Sequence, residues 1–423
     1  MIWVFVLFGI FLIGTPIAFS LGFTTLLGLL GATIPMEIIV QRMFTGIDNI
    51  TFIAIPLFML AGNLMAAGGI SRRITNFAQT LVGHMPGGLG MVVVLASMIF
   101  AAVTGSAIAA TAAIGGILMS ELVSQNYSRA YAASLVSVSG SIGPIIPPSI
   151  PLVVYGVMVS CSIAKLFMGG VVPGLLMGLL IMVTNYIISK KRGYVGKAGK
   201  STWREVAKDF GDAILALIMP IIIIGGIVSG VFTPTESASA AVAYAIIVGG
   251  LVYRELSWKS MWNAMVDAAI QNGIILTVLM TASLFIWFMT IQMIPQQVTA
   301  LLQTIVHTEW AALLLMNVVL LIAGTFIDTI SAITIFVPLF LPLVQAYHID
   351  LIHFGVVVAV NLTIGMCTPP LGVCLFVAAG IAKITLRDML RDLCYMLIPI
   401  LIVLFLITYI PALVTGLPNL LGL

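Results

Sequence analysis

The sequence predicts an all-α polytopic membrane protein made of two inverted repeats. Each repeat holds about five spans, one re-entrant hairpin and one Pro-broken helix. Three observations carry this. Of 423 residues, 61% are hydrophobic and 7% charged, where a soluble domain carries about 25% charged residues. Mean hydropathy is +1.23, and apolar runs long enough to span a bilayer as helices recur from end to end. Finally, "IGPIIPP" (142–148) is matched by "IGMCTPP" (364–370) in the second half.

The elements follow in order. Met1 leads straight into "IWVFVLFGIFLIG" with no basic n-region or cleavage site, which reads as a membrane segment rather than a signal peptide. Residues 2–13 form a short span, and 17–34 and 51–67 are full ones. Segment 90–123 is too long for one crossing, and small residues, "TGSAIAATAAIGG" (104–116), fill its middle. That pattern fits a hairpin whose tip is buried in protein, where non-helical backbone is tolerated at membrane depth. Segment 129–160 is a broken span, because proline removes a donor and clashes with the preceding turn. Residues 170–189 complete the first repeat (1–189). The polar stretch 190–211 reads as a loop. The second repeat (212–423) has spans 213–231, 236–253 and 270–289, a hairpin at 310–345 around "AGTFIDTISA", a broken helix at 353–382, and a last span at 395–415. Segments 69–83 and 295–305 carry apolar residues at helical spacing and read as interfacial arms.

Lys and Arg mark cytoplasmic connections. The cluster Lys190, Lys191, Arg192, Lys197, Lys200, Arg204 and Lys208 sets the cytoplasmic side. With both long segments read as hairpins, only Arg42 and Lys165 of the 17 basic residues fall outside, and both termini lie in the periplasm. Letting either hairpin cross once breaks this bias.

"GSAIAATAAI" (105–114) aligns loosely with "GTFIDTISAI" (324–333), and the "TP" at 15–16 with that at 233–234. Inverted repeats with discontinuous helices at matching positions mark secondary transporters. Each hairpin tip is expected to face a break. Thr104, Gly105 and Ser106 would meet Ser141 and Gly143. Gly324, Thr325 and Thr329 would meet Gly365, Met366 and Thr368. Hydroxyls and freed carbonyls of this kind suit sodium. Substrate would lie against Pro147, Pro148 and Ser149 on one side, and Asp328, Asn361, Pro369 and Pro370 on the other. Asp328 is the one acid expected near the bilayer centre, where an ionisable group is functional by default, yet its place also fits a helix cap. Glu236, three residues after Thr233, fits a capping box.

Cys161, Cys367, Cys374 and Cys394 form no CxxC, and the four histidines show no metal-ligand spacing. No Ser–His pair or second intramembrane acid supports an enzyme, and no charged ring or filter repeat supports a channel.

"GSIGPIIPPSIPLVVYG" (140–156), "FTPTESASA", "AIPLFMLAGNLM" (54–65) and "NLTIGMCTPPLGVCLFV" (361–377) resemble the large membrane subunit of tripartite ATP-independent periplasmic (TRAP) transporters, along essentially the whole chain. The resemblance implies a multi-pass bacterial inner-membrane protein of the ion-transporter superfamily. Its fold would be similar to the dicarboxylate/sodium symporters, with a scaffold and a mobile body working as an elevator. It implies two partners, a small four-helix membrane subunit and a periplasmic substrate-binding protein. It also implies sodium-coupled import of a carboxylate such as a C4-dicarboxylate, another organic acid or a sialic acid. Because the chain starts at its own first span, the small subunit is expected as a separate polypeptide. No arginine is expected near the tips, so helix N-termini, hydroxyls and cations would recognise the carboxylate. The competing reading is a stand-alone symporter of the sodium/dicarboxylate type.

Overall fold

The computed structural model describes residues 2–30, 35, 37–196 and 199–423; Lys197 of the basic cluster lies outside them. Among the described residues every regular element is helical. The first half forms α1 (Ile2–Leu12), α2 (Ile17–Leu29), α3 (Glu37–Thr45), α4 (Ala54–Ala67), α5 (Ile70–Val82), α6 (Gly88–Thr104), α7 (Ala107–Ser124), α8 (Arg129–Gly140), α9 (Ile150–Val159) and α10 (Ile163–Arg192). The second forms α11 (Trp203–Val228), α12 (Pro234–Ile246), α13 (Trp258–Ile291), α14 (Ile294–Gln303), α15 (Glu309–Phe326), α16 (Thr329–Ala346), α17 (Leu351–Gly365), α18 (Val373–Ala382), α19 (Leu386–Tyr409) and α20 (Ala412–Leu420). Nine helical segments among the described residues are long and apolar enough to cross a bilayer. α1, with 11 residues, rises only about 16 Å against a hydrocarbon core of about 30 Å.

Several bounds differ from the sequence reading. The connection read as 190–211 shrinks to 193–202, because α10 runs through Arg192 and α11 starts at Trp203. Three cations in its last turn suit the C-terminal end of α10. Thr202 and Glu205 close a capping box that starts α11 within the polar stretch. The span read as 170–189 likewise starts at Ile163, so Lys165 lies in the first turn of α10. The last span ends at Tyr409, and α20 follows it as a separate short helix. The capping box expected at Thr233 and Glu236 is present, with the Thr233 N–H donating to Glu236 Oε2 at 2.8 Å.

Both long segments double back. The two ends of α6–α7 meet at one residue. Tyr194, just past α10, accepts from the Gly87 N–H at its carbonyl (3.0 Å) and from the Ser128 N–H at its hydroxyl (3.3 Å). The two ends of α15–α16 meet where the Tyr347 hydroxyl donates to the Val306 carbonyl at 2.6 Å. α19 relates these two bases. Near its start Asp392 pairs with Arg192, beside the base of the first hairpin. At its end Tyr409 stacks on Trp310, at the base of the second, with ring centroids 4.8 Å apart. The two hairpins therefore open at opposite ends of a 24-residue helix.

Packing sorts the helices. α4 lies on α12 and α13, α2 on α13, and α11 on α5 and α12. α8 is enclosed by α6, α7, α18 and α19, and α17 by α9, α10, α15 and α19. α5 packs between α11 and α6, and α14 between α13 and α16. At one corner Arg72 and Arg73 pair with Glu255 at 3.1 and 2.8 Å, and Arg73 lies over Tyr253 at 3.7 Å. That contact places Arg72 and Arg73 beside Arg254. Gly69 (φ +78°) permits it, since a Cβ there would fall 1.8 Å from Glu255 Oε2.

Candidate functional site

The first tip is the junction of α6 and α7. Gly105 (φ +61°) ends α6 in the left-handed region that glycine tolerates. Ser106 then caps α7, its Oγ accepting from the Ala109 N–H at 3.3 Å. Opposite lies the break between α8 and α9, residues 141–149. Here Ser149 caps α9 and donates to the Pro144 carbonyl. Tip and break touch through bare backbone. A Cβ on Gly105 would fall 2.4 Å from the Pro148 carbonyl oxygen, and one on Gly143 would fall 2.7 Å from that of Ser106.

The second tip is Ile327–Asp328. α15 runs through Phe326, so Gly324 and Thr325 lie in its last turn rather than at the tip. Asp328 caps α16, accepting from the Ile330 and Ser331 N–H groups at 3.1 Å each and from the Ser331 hydroxyl at 2.5 Å. The structural counterpart of Ser106 is therefore Asp328, and the register of the tips now equals that of the two Pro-Pro pairs. The break between α17 and α18 packs behind. A Cβ on Gly365 would fall 2.5 Å from the Gly324 carbonyl carbon. Gly372 N–H donates to Thr325 O at 3.2 Å, and the Thr329 hydroxyl donates to Met366 Sδ at 3.2 Å.

Both tips face one cavity of about 530 Å³. Thr104, Gly105, Ser106, Asp328, Thr329 and Met366 line it, together with Asn63 from α4 and Gln271 from α13. Ser141, Gly143, Gly324, Thr325, Gly365 and Thr368 sit at or beside the tip–break contacts behind. Ser149, Pro147 and Pro148 are buried in the first break, whereas Pro369 is half-buried and Pro370 exposed. Asn361 stands off the cavity. Its amide donates to Asn317 O and Oδ1 at 2.9 and 2.7 Å, tying α17 to α15. Sequence reasoning did not single out Asn63 or Gln271. Their signal was a polar side chain within an apolar span, "AIPLFMLAGNLM" and "AAIQNGIIL".

Three helix N-termini reach this cavity, those of α7, α9 (Ile150 and Pro151) and α16, and the first and last differ in what they hold. That of α16 already holds the carboxylate of Asp328. At α7 the cap is a neutral hydroxyl, and the N–H groups of Ala107 and Ile108 find no acceptor among the described residues. Both residues line the cavity. A helix N-terminus with free N–H groups attracts an anion. No group of three His, Cys, Asp or Glu that could hold a metal occurs among the described residues. The donors at the tips and breaks are carbonyls and hydroxyls, a set suited to a hard monovalent cation.

Residues 3–413 match the family described as "Tripartite ATP-independent periplasmic transporter, DctM component". The chain is 40% identical over 412 residues to the isethionate TRAP transporter permease protein DctMQ of Oleidesulfovibrio alaskensis, covering 96% of this chain and 65% of that one. It is 38% identical over 413 residues to the sialic acid TRAP transporter large permease protein SiaM of Vibrio cholerae, covering 97% and 96%. Among solved structures, the YdaH transporter of Alcanivorax borkumensis superposes with a TM-score of 0.66 at 14% identity, over 90% of this chain and 89% of that one. That likeness concerns the fold.

Proposed function

Because the chain belongs to the DctM-component family of tripartite ATP-independent periplasmic transporters, we propose that it imports an organic acid by sodium-coupled secondary transport. The family's large permease is a multi-pass protein of the bacterial inner membrane. It works beside a small membrane subunit and a periplasmic binding protein.

One observation carries the reading: the two hairpin tips, entering from opposite ends, face a single cavity in which the α7 N-terminus is open and the α16 N-terminus is filled. The substrate carboxylate or sulfonate would sit at the Ala107 and Ile108 N–H groups. Asn63 and Gln271 would offer neutral hydrogen-bond partners to the rest of it. Sodium would be held at the tip–break contacts, Thr104, Gly105 and Ser106 with Ser141 and Gly143, and Gly324, Thr325 and Thr329 with Gly365, Met366 and Thr368. The bound ion would supply positive charge beside the anion. The relatives' names, isethionate and sialic acid, share an anionic group on a hydroxylated carbon skeleton. Among substrates of that class, the identity would be set largely by the binding protein.

We read the tips and breaks, with α10 and α19, as one mobile body moving against a scaffold of α2–α4 and α11–α13. The opposed hairpin bases support an inverted repeat. Reconstitution tests the whole reading. Uptake into proteoliposomes is expected only with an inward sodium gradient and with both the small subunit and the binding protein present. Full uptake by the lone chain would return it to the stand-alone symporter class. Uptake indifferent to sodium would remove the coupling.

A further inference from the structure

Away from the central cavity, α10 and α19 run antiparallel and enclose a groove of about 400 Å³ beside the Arg192–Asp392 pair. On α10 it is lined by Thr184, Ile187, Ile188, Lys191 and Arg192, and on α19 by Arg391, Tyr395 and Ile398. The spacing is helical on both sides. Residues 184, 187, 188 and 191 make one face of α10, and 391, 395 and 398 make one face of α19. Along each face the chemistry changes in the same direction. Cations stand at the basic end; toward the middle of the span come Ile187 and Ile188 within about 6 Å on α10, ahead of Thr184, and Ile398 at about 10 Å on α19.

The ion pair sets this arrangement. Asp392 holds Arg192, and Arg192 also lies over the Tyr131 ring at 5.1 Å. These contacts fix the last turn of α10 against the first turns of α19. They leave the preceding residue on each helix, Lys191 and Arg391, facing the groove with no ion-pair partner among the described residues. Tyr395 stands between the charged and apolar parts, the level at which an amphipathic ring is at home in a membrane interface. A groove with two unpaired cations at its mouth and an isoleucine floor matches a molecule with an anionic head and an apolar tail.

We propose that the α10–α19 groove binds an anionic phospholipid, its phosphate between Lys191 and Arg391 and an acyl chain along Ile187, Ile188 and Ile398. Basic pockets between membrane helices recognise such headgroups. The tail wall distinguishes this from a site for a free anion, which would gain nothing from the isoleucines. The proposal needs only that this end of α10 lies at a membrane surface. It does not depend on the substrate or on sodium. A lipid here would clamp the two helices on which Arg192 and Asp392 meet, and so support the base of the first hairpin.

The test is lipid binding to the purified chain in detergent, read by native mass spectrometry and by thermal unfolding. Dioleoyl phosphatidylglycerol is compared with dioleoyl phosphatidylcholine and with glycerol 1-phosphate. Phosphatidylglycerol is expected to stay bound and to raise the unfolding midpoint, while the other two do neither. Lys191→Gln and Arg391→Gln, which leave Arg192 and Asp392 in place, are expected to weaken phosphatidylglycerol binding about 5-fold each and about 30-fold together. Their midpoints in phosphatidylcholine should match that of the unaltered chain. Equal binding of both lipids, or undiminished phosphatidylglycerol binding in the double variant, overturns the proposal. Stabilisation by glycerol 1-phosphate alone overturns it in favour of a simple anion site.

Discussion

Gly365→Ala tests the contact on which the second ion site is argued to rest. Gly365 ends α17 against the last turn of α15. A Cβ there would stand 2.5 Å from the Gly324 carbonyl carbon, 2.6 Å from its Cα and 2.8 Å from its oxygen. Carbon atoms reach their best separation at about 3.5–4.0 Å, so the two helices must part by about 1 Å. The clash is with backbone, and Gly324 has no side chain to turn aside. Overpacking of this kind costs about 1–3 kcal/mol. Gly380→Ala is the control, since nothing lies within 4 Å of its added methyl and it shares the helix-propensity gain of about 1 kcal/mol. Thermal unfolding and sodium titration of uptake by the reconstituted complex read the outcome. Gly365→Ala is expected to unfold at a lower temperature than Gly380→Ala. Its sodium half-saturation should rise about tenfold, for about 1.4 kcal/mol of lost cation binding. Identical behaviour of the two variants in both assays would refute the packing argument and the ion site together. A lower midpoint with unaltered sodium dependence would keep the packing and move the cation elsewhere.

Ser106→Asp keeps an N-cap of equal quality but places a carboxylate where the substrate anion is proposed to sit. Substrate half-saturation should rise more than tenfold, about 1.4 kcal/mol, with the unfolding midpoint unmoved; unaltered uptake would place the anion elsewhere. Gly62→Cys with Thr104→Cys joins α4 to the first tip, where the Gly62 Cβ position lies 3.4 Å from Thr104 Cβ, near the disulfide range of about 3.5–4.5 Å. Oxidation should stop whatever uptake the reduced double variant retains, measured at saturating sodium because Thr104 belongs to the proposed ion site, and uptake equal in the oxidised and reduced protein would end the elevator reading. Cysteines at Ser201 and Gln303, in a background lacking Cys161 and Cys394, should react with an impermeant thiol reagent from opposite sides of the membrane. Gly69→Ala forces a left-handed conformation that costs about 1–2 kcal/mol and drives a methyl into Glu255, so a midpoint equal to that of the unaltered chain would contradict the described corner.

Much of the architecture was legible because membrane insertion acts on local composition. Apolar runs gave the spans, and the basic residues required two segments to double back. The contacts at Tyr194 and at Val306–Tyr347 are what that requirement looks like in space. Caps were legible for a similar reason, since Thr233 and Glu236 satisfy each other within one turn. The second tip falls within the expected stretch of Gly324 to Thr329, but the alignment of Gly105 with Gly324 is three residues out of register. Gly324 resembles Gly105 in sequence, but a glycine ends a helix only where the chain turns, and here α15 continues to a stronger signal, the cap at Asp328. Asp328 is the expected cap of α16, and it also lines the cavity.

The sequence by itself determined the class of protein, the number of interruptions and the residues that interrupt. These follow from proline's missing donor, from capping side chains and from the cost of placing charge in hydrocarbon, all of which act within a few residues. Only the tertiary structure decided that the two tips share one cavity, that Asn63 and Gln271 line it too, and that Asn361 turns away to Asn317. Those are contacts between residues far apart in the chain. They depend on how helices of fixed length pack against each other, and on which glycines let two backbones touch.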